Sequence, residues 1–188
     1  MLAGTAAVLL LHPCTGKATE LRVAAVQFRS SFDVGSNCQR IVADLRRLAA
    51  QGVKVAVFPE CALTGYQKGP AVSASASEIE SAEKVIQDIC RTAAIAVVLG
   101  SVYKINGHTY DTAVVIDSTG TVVERYGKLF LAGEQWATRG NHIAFFELAG
   151  VRSTVMICHD ERYPELVRLP AIAGARIAYY ISSESPLT

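Results

Sequence analysis

Three side chains, far apart in the sequence, each stand where an apolar run breaks off. Glu60 follows VAVFP, Lys128 follows TVVERYG, and Cys158 follows STVMI. Brought together, they would suffice for acyl transfer through a thiol. A thiolate is the nucleophilic form of cysteine, favoured by a helix N-terminus or a nearby cation. A carboxylate within reach can take the thiol proton and later return it to a leaving amine. An ammonium group, joined by the backbone N–H of His159, can stabilise the oxyanion of a tetrahedral intermediate. That set supplies base, nucleophile and electrophile without a histidine base.

Taken singly, each residue has a blander reading. A lone cysteine is most often a small core hydrophobe. Glu60 alone would be a loop cap, and Lys128 alone a solvated charge. Cys14, Cys38, Cys61 and Cys90 read as inert thiols. His159 adjoins Cys158 at a turn, where neighbouring side chains point apart, so its expected contribution is its backbone. Asp160, Glu161, Arg162 and Glu165 read as helix-end ion pairs. Trp136 and Phe130 either line a pocket or pack.

Positioning the trio requires an alternation of strands and helices. LRVAAVQF, residues 21–28, predicts a first strand, and Ser36 caps a helix whose face is Ile41, Val42, Leu45, Leu48 and Ala49. Gly52 ends that helix before a short strand over 53–58, closed by Pro59. The β–α–β order predicts parallel pairing in a covered sheet. After a loop over 64–76, Ser77 and Glu80 form a capping box for a second helix. Asn106-Gly107 then predicts a hairpin, so the sheet is mixed. Two further strands flank Ala149-Gly150, a helix opens at Pro164 with a kink at Pro170, and ARIAYYIS forms the last strand. Candidate sites in open α/β sheets gather at the carboxyl ends of strands, where all three residues stand.

Composition narrows the alternatives. In 188 residues, 51% hydrophobic, 18 basic and 17 acidic side chains leave a charge of +1. This balance argues against a nucleic-acid surface, which shows clustered basic excess. No apolar run approaches the length of a membrane span. Five widely spaced cysteines, without a CxxC pair, fit reduced thiols and a cytoplasmic location. The four histidines lack metal-ligand spacing, so no metal is expected. Residues 1–20 read as an N-terminal extension, with a targeting role left open, and 21–188 as one domain.

VAVFPECALTGY, YGKLFLAGEQ and ICHDERYPE resemble, in this order, the three signature segments of the nitrilase superfamily, the carbon–nitrogen hydrolases. LRVAAVQF is similar to that family's opening strand, and NGHTYDTAVVIDSTG to its central hairpin. The resemblance implies a Glu–Lys–Cys triad at Glu60, Lys128 and Cys158, with Glu134 as a second, orienting glutamate. It further implies a four-layer αββα sandwich, a homo-oligomer assembled through outer helices, and no metal or organic cofactor. The implied reaction is hydrolysis of a non-peptide C–N bond in a small molecule. Cys158-His159-Asp160 stands where nitrile-cleaving members read Cys-Trp-Glu, which favours an amide or an N-carbamoyl substrate.

The resemblance also implies a longer chain, with further strands beyond the last one here. Two readings follow. One is a thiol amidohydrolase acting through an acyl-enzyme. The other is an inactive, shortened form that serves as a fragment or interaction module through an exposed sheet edge.

Overall fold

The computed structural model describes residues 20–66 and 72–183. Except for Glu20, the expected N-terminal extension lies outside the described residues, as do parts of the 64–76 loop and the last five residues.

Five strands form the first sheet, in sequence order: β1 (Val23–Ala25), β2 (Val55–Val57), β3 (Ala96–Ile105), β4 (His108–Ile116) and β5 (Val122–Gly127). The β1–β2 and β2–β3 pairs are parallel, and β3–β4 and β4–β5 are antiparallel. A second sheet holds β6 (Phe146–Leu148), β7 (Val151–Ile157) and β8 (Ile177–Ile181), with β6–β7 antiparallel and β7–β8 parallel. Both sheets are therefore mixed, as expected. Among the described residues, three α-helices accompany them: α1 (Val34–Ala50), α2 (Ala76–Ala93) and α3 (Glu165–Ile172).

Strand alternation sorts the core into layers. In β3 and β4, Val97, Leu99, Val114 and Ile116 pack with Ile41 and Leu45 of α1 and Ile86 of α2. Their neighbours Ala96, Val98, Ala113 and Val115 face Phe146, Val155, Ile157 and Tyr179 of the second sheet. Successive side chains leave a strand on opposite faces, so a strand covered on both reads as a continuous apolar run. With α3 against β7, the order is helices, sheet, sheet, helix. This is the αββα sandwich.

Local signals were mostly legible, with shifts at helix starts. Asn106 and Gly107 have φ of 50° and 77°, the left-handed pair that a two-residue hairpin requires. The cap of α1 is Asp33 rather than Ser36; the Asp33 carboxylate accepts the Ser36 backbone N–H. Val34 and Asn37 are both buried, which pulls the helix start upstream. The capping box of α2 is Ser75 with Glu78 rather than Ser77 with Glu80. Both pairs have the right spacing, and the apolar pattern decides between them. Only the Ser75 frame puts buried Ala74 before the cap and buried Ile79 at the fourth helical position, the spacing of a hydrophobic staple. The first strand is shorter than expected because β2, its partner among the described residues, pairs over three residues before Pro59.

Candidate active site

Backbone contacts without side chains place two of the candidate residues. Pro59, Glu60 and Cys61 leave β2 and cross the flank of β3 at Gly100, where any Cβ would lie 2.1 Å from the Pro59 carbonyl oxygen. The chain then turns sharply, with Cys61 at φ 50° and its carbonyl accepting from the N–H of Thr64 and Gly65. Lys128 follows β5 directly. Its N–H donates to the Asp111 carbonyl at 2.9 Å, and its own carbonyl accepts from Gly140 at 2.9 Å. A Cβ on Gly140 would stand 2.1 Å from the Gly127 oxygen, so this clasp also requires glycine.

These segments converge on a buried ammonium group. Lys128 Nζ lies 2.7 Å from Glu60 Oε1 and 2.6 Å from Glu134 Oε1, and all three side chains are withdrawn from solvent. The structure thus brings Glu60, Lys128 and Glu134 together as hydrogen-bonded neighbours. Burial alone would discharge the lysine, but Asp111, Glu60 and Glu134 outweigh it and raise its pKa above the ordinary value. Glu134 is held by two further donors: the Tyr66 hydroxyl at 3.0 Å and the Ala132 N–H at 2.6 Å. Despite burial, Lys128 and the backbone N–H groups of Glu134 and Ala132 lower its pKa. The second oxygen of Glu60 accepts from the Ser183 N–H at 2.8 Å.

Cys158 opens a 3₁₀ turn, Cys158–Arg162, directly after β7. Its φ of 46° is left-handed, a strained conformation for a residue with a Cβ. Of the described cysteines, Cys38, Cys61 and Cys90 are buried and Cys158 is partly accessible. Burial pushes its thiol above the usual cysteine range; Glu60 and Glu134 add to that, while the Ser182 hydroxyl and Lys128 oppose it. A thiol held protonated needs a base, which differs from a thiolate formed by a turn or cation alone. A cavity of about 250 Å³, lined by Phe58, Pro59, Tyr180 and Ser182 among others, adjoins the segment that leads into Glu60.

The charges after Cys158 are not paired with one another, which corrects the expectation of helix-end ion pairs. Among the described residues, none of Asp160, Glu161, Arg162 and Glu165 joins a salt bridge. Asp160 is instead fully buried. It accepts from the Tyr126 hydroxyl at 2.8 Å, the Phe130 N–H at 2.9 Å and the Ile157 N–H at 3.1 Å. It therefore ties the turn of Cys158 to the segment after Lys128. His159 lies edge-on to Tyr163, which stacks on Phe130 with centroids 3.3 Å apart. Trp136 is buried in the core between the helices and the first sheet.

Asp111, Tyr66, Ser182 and Ser183 escaped the sequence reading. Asp111 sits inside an apolar strand, where a carboxylate is itself a signal, because a buried charge requires partners. Tyr66 closes the same segment that carries Glu60. The two serines carry no sequence signal. Glu60, Asp111 and Glu134 each bring an oxygen within 4.8 Å of the others, a donor set of the kind hard cations prefer. Lys128 Nζ already occupies the space between them, within 3.6 Å of all three, and serves as their cation.

The family model for carbon–nitrogen hydrolases matches residues 22–188. The chain belongs to the carbon–nitrogen hydrolase family. A protein named as a hydrolase in the agr operon of Staphylococcus lugdunensis is 33% identical over 135 residues, covering 68% of this chain and 58% of its own. The 2-oxoglutaramate amidase of Bacillus subtilis is 31% identical over 138 residues, 71% of this chain and 53% of its own. This carbon–nitrogen hydrolase chain thus spans little more than half the length of the curated relatives it matches. Its fold is that of the amidase from Nesterenkonia sp. AN1, solved as a double mutant with acrylamide. The TM-score is 0.81 at 23% identity, over 89% of this chain and 66% of that one. No described helix is long and apolar enough to cross a membrane.

Proposed function

We propose that this chain carries the active site of a thiol amidohydrolase, with Cys158 as nucleophile, Glu60 as general base and acid, and Lys128 as electrophile. The observation that carries the reading is the buried Lys128 ammonium, hydrogen-bonded to both Glu60 and Glu134. A cation held there is pre-organised for a developing oxyanion and requires no reorganisation during reaction.

Cys158 Sγ attacks the carbonyl carbon as its proton passes to Glu60, and the carbonyl electrons move to oxygen. Lys128 and the His159 N–H, which lies in the first turn where no helical carbonyl reaches it, hold that oxyanion. Collapse restores the C=O bond and breaks the C–N bond; Glu60 returns the proton to nitrogen, and ammonia leaves. Water then attacks the thioester, giving its proton to Glu60. The second collapse expels the Cys158 thiolate, which recovers the proton and releases the acid. Glu134 fixes Lys128 throughout and takes no proton.

The substrate class is a small amide or N-carbamoyl compound. Supporting the amide side, relatives include an oxoglutaramate amidase, and the Nesterenkonia amidase has been seen with acrylamide and with butyramide. In another structure of that amidase, acrylamide has added to the active-site cysteine. The test is ammonia release from a panel of primary amides and N-carbamoyl compounds, with mass spectrometry of the trapped acyl-enzyme. Full turnover by a Cys158→Ala variant would sink the assignment.

A further inference from the structure

The buried cluster holds three carboxyl groups and one ammonium. Glu60, Asp111 and Glu134 all surround Lys128, and Glu60, Asp111 and Lys128 are withdrawn from solvent almost completely. Three carboxylates against one cation would leave two uncompensated negative charges in the interior, an arrangement that neutralises itself by taking up a proton.

Hydrogen bonds show which group takes it. Glu60 accepts on both oxygens, from Lys128 Nζ and from the Ser183 N–H. Glu134 accepts from Lys128, the Tyr66 hydroxyl and the Ala132 N–H. Groups that only accept are carboxylates. Asp111 differs. Its Oδ1 accepts only the weak Cys61 thiol donor, at 3.6 Å. Its Oδ2 is buried and takes no hydrogen bond from any described donor, while Lys128 Nζ stays 3.6 Å away. Glu60 and Asp111 nonetheless each bring a carboxyl oxygen within 4.8 Å of the other. Two carboxyl groups can be hydrogen-bonded to each other only if one of them carries a proton.

We propose that Asp111 carries that proton on Oδ2 and donates it as a hydrogen bond to Glu60. Asp111 is thus a positioning residue, which orients the Glu60 carboxylate without touching substrate. Its kinetic consequence rests on the hydrolase reading; its protonation does not. Burial, reinforced by Glu60, holds the Asp111 carboxyl well above the usual carboxylate range, with Lys128 opposing. Cys61, facing Oδ1, is likewise pushed up by burial and by Asp111, and stays a neutral donor. Asparagine would reproduce this pattern, one acceptor toward Cys61 and one donor toward Glu60.

Infrared difference spectra of the full chain at neutral pH test the assignment. The wild type should show a protonated-carboxyl band that Asp111→Asn lacks; identical spectra in that region would overturn it. On the best amide of the panel, Asp111→Asn should keep turnover close to wild type. Asp111→Ala should lose about tenfold, the scale of one hydrogen bond to a charged group. An Asp111→Asn variant as impaired as Asp111→Ala would show that a negative charge is needed and overturn the proposal. Should the wild type hydrolyse no amide, the hydrolase reading fails, and the infrared band still decides the proton.

Discussion

A Cβ placed on Gly100 would lie 2.6 Å from the Cα of Glu60. The central strand β3 thus approaches the segment that carries Glu60 so closely that no side chain fits between them. The main-chain path of Glu60 is set by the absence of an atom on its neighbour. Gly100 is paired with Ala113 in the middle of the sheet, so β3 cannot retreat without breaking its ladder.

Gly100→Ala should therefore harm both stability and chemistry. The neighbouring atoms are backbone, and overpacking of this kind costs about 1–3 kcal/mol. Urea unfolding reads the stability, and ammonia release reads the displacement of Glu60. A variant with unchanged midpoint and turnover would contradict the close approach.

Lys128→Met removes the cation that Glu60, Asp111 and Glu134 surround. Loss of one partner from a buried charge pair costs about 3–5 kcal/mol, because the remaining charge is uncompensated. Denaturant midpoints should fall accordingly. A Lys128→Met protein as stable as its parent would mean that the cluster is solvated.

The stability of Asp111→Asn should depend on pH in a particular direction. Asp111 titrates higher in the folded than in the unfolded chain, so the folded state binds more protons between those two values. Stability of the wild type therefore falls as pH rises from the ordinary aspartate value of 3.8 toward the folded one. Asparagine does not titrate and escapes this loss. The variant should be the more stable at neutral pH, with the advantage vanishing below that ordinary value, where both states are protonated. Thermal melts across pH decide it; an advantage that grew toward acid would reverse the sign.

Asp160→Ala should loosen the turn that carries Cys158. Three donors lose their acceptor, and each buried unsatisfied group costs about 1–3 kcal/mol. Asp160→Asn should lose less, since it keeps an acceptor oxygen. Urea titration of the pair measures this, and equal effects would argue against the hydrogen-bond account.

Among the described cysteines, alkylation by iodoacetamide should select Cys158. Cys61 and Cys90 are fully buried, and burial raises the Cys90 thiol to about 12. Peptide mass mapping should find the label on Cys158 first, and more slowly in Glu60→Gln. Equal labelling of Cys61 would indicate local opening around Glu60.

How much of this was legible beforehand depends on the range of the interaction. The Asn106-Gly107 turn, the stripes of α1 and α2, and the covered strands were all readable, because each is set by neighbours along the chain. Helix starts were misplaced by two or three residues because two caps competed, and burial of Val34 and Ala74 chose between them. Asp160 was misread as a partner in a helix-end ion pair. Its three donors come from Tyr126, Phe130 and Ile157, and two of these are some thirty residues distant.

The sequence by itself determined the family, the layer order and the residues available for chemistry. The family follows from the resemblance of three ordered segments, which implies the layer order; periodicity and turn residues give the strands, helices and mixed sheet that fit it. Only the tertiary structure decided how the charges are shared. Glu60, Asp111, Lys128 and Glu134 arrive from four segments, and their separations exist only after the sheet has formed. Where an ionisable group is buried, its charge depends on distances in space, and no spacing along the chain contains them.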